Sequence, residues 1–445
     1  MDQDIARQVA DLASLYDRRR AYLAESARFR AVGYRGIIGY FCTYAPEELI
    51  LAAGYHPVRI IAEPGMVGPV DGHLQSFACS FARGCLDQAL RGAHDGLDGI
   101  IFPATCDSLR NAAEVWRREV CPGRRPQRFF HFMNFPARLD APGAEVFAAR
   151  EMADLAEALG THSGLGASGI LARLRDAAAL VAEIRGLLAR LWELRLTRPD
   201  PPLSGTQALS VFLAGVVMER REYRDSLARL LREIEAAKPG VTGAAGAPVA
   251  AGTSPGATQV AGRDPIRLVV SGGVIEDPAT LRLIEKAGAI VVGDDLCTGT
   301  RSFTVGGDAV GGEGDGPPTG APTGVLTAIP PDAPASLNEL ARLYLSKVPC
   351  PTKHPIDRRV AGLLATARRG RAAGVVFLLQ KFCETHAFDQ PYLSSLLTSR
   401  GLPSLLLELE QGRLTEGQAA TRLGAFLEMI AGRREVAADD GGDLR

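Results

Sequence analysis

The sequence predicts an α/β fold with two parallel-sheet domains, an N-terminal helix and a helical connector. Three observations predict it. Short apolar runs alternate with amphipathic stretches in two separate regions. Strand signals nearly vanish between those regions. A low-complexity Ala/Gly/Pro segment precedes the second region.

Residues 1–32 form the N-terminal helical segment, where Ile5, Val9, Leu12, Leu15 and Tyr16 recur three or four apart. The first α/β domain spans 33–143. "GIIGYF" reads as a strand and "APEELILAAG" as a helix. Pro46 sits early in that helix, Glu47 and Glu48 suit its positive end, and Gly54 stops it. "PVRII" (strand), "SFARGCLDQALRG" (helix), "DGIIFP" (strand), "DSLRNAAEVWRRE" (helix) and "RFFHFM" (strand) follow. The connector, 144–238, keeps helical spacing through Leu174, Val181, Ile184, Leu188, Leu191 and Leu194, and Ser204 is a helix cap. Residues 239–264 can bury little and read as a flexible linker.

The second α/β domain, 265–435, opens with "IRLVVSGG" (strand), "DPATLRLIEKAG" (helix) and "AIVVGDD" (strand). A Gly/Pro-rich insertion near 305–325 interrupts it. Helices at 335–347 and 356–370, strand "GVVFLL", a helix at 390–399, strand "PSLLLELE" and a helix near 415–432 complete it. Residues 436–445 read as a disordered tail. Matched element order, rather than a sequence repeat, makes both domains Rossmann-like.

Composition narrows the function. With 46% hydrophobic and 23% charged residues the chain is globular, and a net charge of -1 gives no electrostatic case for nucleic acid or an anionic membrane. No apolar run reaches the roughly 18 residues of a membrane span. The start "MDQDIARQVADLASLYDRRR" lacks the pattern of a signal peptide, so a cytoplasmic protein with reduced thiols is expected.

Cysteine placement is the informative feature. Four of the eight cysteines follow a strand-like run: Cys42, Cys106, Cys297 and Cys383. In parallel sheets ligands bind beyond the carboxyl ends of the strands, so these thiols are expected at a crevice. Cys79 precedes a helix and Cys350 lies in the loop "KVPCPTK"; helix-start N–H groups favour the thiolate. There is no C-x-x-C pair, which removes the usual zinc-ribbon and ferredoxin patterns. Soft thiolates without His partners favour iron–sulfur over zinc, although a Cys-rich zinc site, with His386 beside Cys383, stays open. No P-loop motif occurs, and "SGGVIEDP" reads first as a plain strand-to-helix turn.

Five segments carry a resemblance: "CTYAPEELILAAGYHPVRI", "CSFARG", "LDGIIFPATCDSLRN", "VVSGGVIEDPATLRLIEKAGAIVVGDDLCTGTR" and "VVFLLQKFCETHAFDQPYLSSLLTSRGLPSLLLELE". Together they resemble the 2-hydroxyacyl-CoA dehydratase and benzoyl-CoA reductase family, and are most similar to its double-cubane reductase branch. The resemblance implies an oxygen-sensitive iron–sulfur cluster between the two domains, and a separate ATP-hydrolysing iron–sulfur activator that supplies low-potential electrons. It implies that Cys79, Cys106 and Cys383 match the ligands of a single 4Fe–4S cubane. Cys42, Cys297 and Cys350 stand where the double-cubane members have three more, and Cys350 follows the insertion that departs from the family pattern. The expected activity is reduction of a small substrate by a homodimer. The alternatives are a single-cubane subunit of a dehydratase or benzoyl-CoA reductase, paired with a paralogous subunit and acting on an acyl-CoA, and a non-catalytic electron carrier.

Other residues have two readings each. Cys85 and Cys121 read as structural, with Cys85 as a substitute for Cys79 if the helix register shifts. Glu47 and Glu48 read first as helix-terminus charge and second as proton donors. Asp107 reads first as a helix cap and second as an acid. Asp294 and Asp295 read first as loop-ordering groups. Arg301 and Lys381 either offset cluster charge or sit solvated.

Overall fold

The computed structural model describes residues 3–65, 67–121, 128–237, 265–305, 333–410 and 412–439, with only the backbone for 434–439. The linker 239–264 and nearly all of the insertion 305–325 lie outside the described residues. The N-terminal apolar stripe forms α1 (Gln3–Asp17), which buries Ile5, Val9, Leu12 and Tyr16. The single helix expected there breaks at Arg18 and Glu25 into α1, α2 (Arg19–Ala24) and α3 (Ser26–Ala31). The turns bring the Tyr22 hydroxyl within 3.0 Å of the Glu219 N–H and stack Phe29 on His56.

The first sheet is built from β1 (Ile37–Tyr40), α4 (Glu47–Ala52), β2 (His56–Arg59), α5 (Ser80–Leu90), β3 (Gly99–Pro103), α6 (Asp107–Val115) and β4 (Phe129–Met133). Its strands run parallel in the order β2-β1-β3-β4. Four helices follow: α7 (Ala144–Ser163), α8 (Gly166–Thr197), α9 (Gly205–Gly215) and α10 (Arg220–Ala236). Ser204 caps α9 as its sequence suggests, in a reciprocal pair with Gln207.

The second sheet comes from β5 (Ile266–Gly272), α11 (Ala279–Lys286), β6 (Ala289–Asp295), α12 (Thr300–Phe303), α13 (Leu337–Leu345), α14 (Ile356–Arg369), β7 (Gly374–Gln380), α15 (Glu384–Ser399), β8 (Ser404–Leu409) and α16 (Glu416–Asp439). The order β6-β5-β7-β8, again all parallel, repeats that of the first sheet. The α/β fold with two parallel sheets is therefore present. Among the described residues no helix is long and apolar enough to cross a membrane.

Three local expectations change. The sequence assigns α13 to the second domain, yet its apolar face (Leu340, Ala341, Tyr344) packs on α7 of the connector and joins the buried cluster of the first domain around Ile38, Tyr44 and Leu49, and Arg342 Nε reaches Glu145 at 2.8 Å. The helix expected at 390–399 starts at Glu384, directly after Cys383, and Pro391 lies inside it. The final helix runs to Asp439, so 436–439 are helical rather than tail.

Both domains share a core. One cluster of buried side chains runs from Ile5 and Phe29 through Phe102, Leu191, Leu213 and Leu227 to Val270 and Leu378. α8 is central to it. It touches α4, α7 and α10 on one side and β6, α12 and α14 on the other. The carboxyl ends of both sheets are thereby held in a fixed relation.

Candidate functional site

The repeated strand order places a switch point between β1 and β3 and another between β5 and β7, where loops diverge and a crevice opens. Cys42 follows β1 and Cys106 follows β3. Cys297 follows β6 and Cys383 follows β7. Cys42 has φ 60°, and Phe382, just before Cys383, has φ 63°. Left-handed backbone at non-glycine residues is costly and persists where surrounding structure enforces it.

Cys79, Cys106 and Cys383 occupy the N-cap positions of α5, α6 and α15. None makes a strict capping bond, but the N–H three residues on, at Ala82, Leu109 and His386, favours each thiolate. The three thiols also face one another. The neighbouring Cys383, then burial, pushes Cys79 well up; Cys383 falls well below the usual thiol range through Cys79 and through His386. Its Sγ lies 3.2 Å from His386 Nδ1 and 3.6 Å from Thr385 Oγ1. Burial raises Cys106, and Cys383 raises it further.

Cys42, Cys297 and Cys350 form a second set. Burial, then Cys350 and Cys297, push Cys42 up to about 11. Burial also raises Cys297; Arg301 opposes that and Cys350 adds to it. Cys350 reaches this set because α13 crosses to the first domain and delivers the following loop beside Cys42. Its Sγ sits 3.0 Å from Thr352 Oγ1. The two sets meet where Cys350 raises Cys106. Cys85 is buried without electrostatic contact to another thiol, and Cys121 is raised by burial alone, opposed by Arg128. Among the described residues no group of three or more His, Cys, Asp and Glu is gathered so as to hold a single metal ion.

The loops carrying these thiols are tied down. The Cys297 N–H donates to the Gly273 carbonyl at 2.9 Å, and Arg59 Nη1 donates to the Cys297 carbonyl at 2.6 Å. Asp294 accepts the N–H groups of Leu296 (3.2 Å) and Thr300 (2.8 Å), and the Trp192 indole N–H. Asp295 accepts from the Ser271 hydroxyl at 2.8 Å and pairs with Arg301 at 3.2 Å. Both aspartates therefore order the loop. Arg301 is buried, its Nη1 has no hydrogen-bond partner among the described residues, and it faces Cys297 and Cys350. Lys381, by contrast, is exposed and pairs with Glu410 at 3.1 Å. Asp107 is not the cap of α6, a position Cys106 holds. Its side chain is 80% exposed, 3.7 Å from Arg110.

Glu47 and Glu48 begin α4, the first half-buried and the second buried, in a network that the sequence conceals. Glu48 receives Arg185 at 2.8 Å and the Tyr344 hydroxyl at 2.7 Å. Glu47 pairs with Arg220 at 2.6 Å. Burial raises Glu47, but Arg220 and Arg185 outweigh it and hold the carboxyl below its usual range. Lys347, pulled down to about 7 by burial, joins the domains by donating to the carbonyls of Thr43 (3.1 Å) and Ser302 (3.2 Å).

Glu276 is another group the sequence does not single out. Burial pushes it up to about 8, and Gln380 Nε2 donates to it at 2.8 Å. Between the ordinary carboxyl value and about 8 the unfolded chain releases a proton that the folded chain keeps. Stability therefore falls as pH rises through that window. Glu276→Gln removes the titration and keeps an acceptor for Gln380. The variant is expected to exceed the parent at pH 8 by on the order of a few kcal/mol, and to match it near pH 5. Urea midpoints at the two pH values check this, and identical differences at both would show that Glu276 ionises in the fold.

Comparison with known proteins fits this geometry. The family model "2-hydroxyglutaryl-CoA dehydratase, D-component" matches residues 42–430. The chain is 25% identical to the beta subunit of lactoyl-CoA dehydratase from Anaerotignum propionicum, over 90% of this chain and 94% of that one. It is 26% identical to the beta subunit of (R)-2-hydroxyglutaryl-CoA dehydratase from Acidaminococcus fermentans, over 91% and 94%. With one subunit of the benzoyl-CoA reductase of Thauera aromatica the identity is 25%, over 89% and 91%. The match takes in all six strand-end and loop thiols, and the chain belongs to the 2-hydroxyglutaryl-CoA dehydratase D-component family of dehydratase and reductase enzymes.

Proposed function

We propose that the chain is an iron–sulfur reductase component. It takes low-potential electrons from an ATP-hydrolysing iron–sulfur activator and reduces a small substrate at a double-cubane cluster in the cytoplasm. The observation that carries this reading is the division of six thiols into two sets of three, adjoining through Cys106 and Cys350. Cys79, Cys106 and Cys383 hold one cubane and Cys42, Cys297 and Cys350 the other. Such a cluster, when bound, supplies one-electron chemistry at low potential.

The residues fit that group. A single ion gathers its donors on one atom, whereas a cubane spreads them over several irons, so two loose thiol sets suit clusters better than a mononuclear site. Arg301, its Nη1 without a hydrogen-bond partner among the described residues, supplies a buried positive charge beside the second set. Arg59 and Asp294 keep the Cys297 loop in place.

Anaerobic purification followed by iron and acid-labile sulfide assay tests the reading. Iron near twice that of one four-iron unit per chain is expected. Content near one unit would move the chain to a second reading, a single-cubane subunit acting on an acyl-CoA with a paralogous partner. The relatives, each named as one subunit of an enzyme, favour that reading. The mass of the native complex separates a homodimer from a heteromer. Absence of iron would remove both readings.

A further inference from the structure

A cavity of about 60 Å³ lies between α4, α8, α9 and the Ser302–Phe303 turn, at the junction of the two domains. Its wall is mixed. Val181, Ile184, Leu188 and Phe212 supply apolar lining, and Arg59, Arg185 and Arg220 supply cationic lining. All three arginines are buried. Two carboxylates face them: Glu47 lines the cavity and Glu48 lies behind Arg185. Three guanidinium charges thus meet two carboxylates, and a buried surplus charge needs a counter-ion. Arg59 has no carboxylate partner among the described residues, and besides Glu47 and Glu48 it faces the Cys42 and Cys297 thiols, both raised by burial. Arg185 and Arg220 each keep a buried Nε without a hydrogen-bond partner among the described residues.

We propose that this cavity binds a short-chain carboxylate, its head group on the arginines and its alkyl end on the apolar lining. A guanidinium presents a fork of N–H donors that matches a carboxylate, which accounts for both the charge and the vacant donors. The size limits the ligand to about four to six non-hydrogen atoms, since each water-sized space needs roughly 10–15 Å³. Occupancy touches the loops of the second thiol set. Arg59 holds the Cys297 carbonyl, and Thr43, next to Cys42, lines the cavity. The binding itself does not depend on the cluster reading.

Isothermal titration of anaerobically purified full-length protein with propionate, at constant ionic strength, tests the site. Propionamide, the neutral analogue of the same shape, is the control. Saturable one-to-one binding of propionate is expected, with no binding of propionamide. Arg220→Gln is expected to weaken propionate at least about tenfold, the loss of one charge-assisted bond. Leu188→Phe, which fills the space without changing charge, is expected to abolish binding, and it decides the matter if Arg220→Gln does not fold. Absence of propionate heat in folded protein, equal binding of propionamide, or unchanged binding in Leu188→Phe each overturns the proposal; a cavity that holds only water gives the first of these. Iron is assayed on the same samples. Full iron without propionate binding sinks this inference alone, and propionate binding without iron sinks the cluster reading alone.

Discussion

Cys297→Ser is expected to cut iron per chain by about half, because serine keeps a proton that a thiol gives up and binds iron poorly. The substitution changes one atom, and the backbone ties of Cys297 to Gly273 and Arg59 do not involve the side chain, so the loop should persist. Two controls bracket the result. Cys106→Ser should lower iron whether the chain holds one cubane or two. Cys121→Ser should lower it in neither case, since that thiol faces no other. Iron assay and low-temperature EPR read all three. Full iron and an unchanged spectrum in Cys297→Ser would end the double-cubane reading and leave a single cubane on Cys79, Cys106 and Cys383.

Arg185→Met should destabilise the fold by about 3–5 kcal/mol in chemical denaturation. Arg185 Nη1 meets Glu48 at 2.8 Å and its Nη2 meets the Tyr344 hydroxyl at 3.1 Å, with both partners buried. Removing the cation strands Glu48 in a place where water cannot replace it. The double change Arg185→Met/Glu48→Gln removes both charges and should recover about half of the loss or more, since uncharged replacements of buried pairs are often tolerated. If the double variant is as unstable as the single one, the loss comes from packing around the arginine stem instead.

The α/β architecture was legible because period-two and period-3.6 patterns differ and both are local. Strand ends were legible for the same reason, which is why the positions of Cys42, Cys106, Cys297 and Cys383 could be read. The route of α13 was not. Its stripe of Leu340, Ala341 and Tyr344 shows that it buries a face, but not which neighbour it buries that face against. The charged interior was also missed. A faint signal existed at Arg185, which lies four residues after Val181 and three before Leu188, within the apolar stripe of α8. A cation on that face has to find a buried acid, and only the folded chain shows that the acids are Glu48 and Glu47. Arg59, Arg220 and Lys347 carry no comparable mark. Their roles arise from carbonyls and carboxylates far away in sequence.

The packing of α1 bears on how the chain is made. This helix lies against α9 and α10, and Gln8 bonds to Glu233 across 225 residues of sequence. At about 5–20 residues per second, a ribosome needs roughly 10–45 s to produce those partners. Throughout that interval the stripe of Ile5, Val9, Leu12 and Tyr16 lacks the cover of α9 and then of α10, even if the first sheet has already formed. This stripe is thus synthesised well before the helices that bury it. A nascent chain stalled before α10 should bind a chaperone through this stripe, and release it once Glu233 has cleared the exit tunnel.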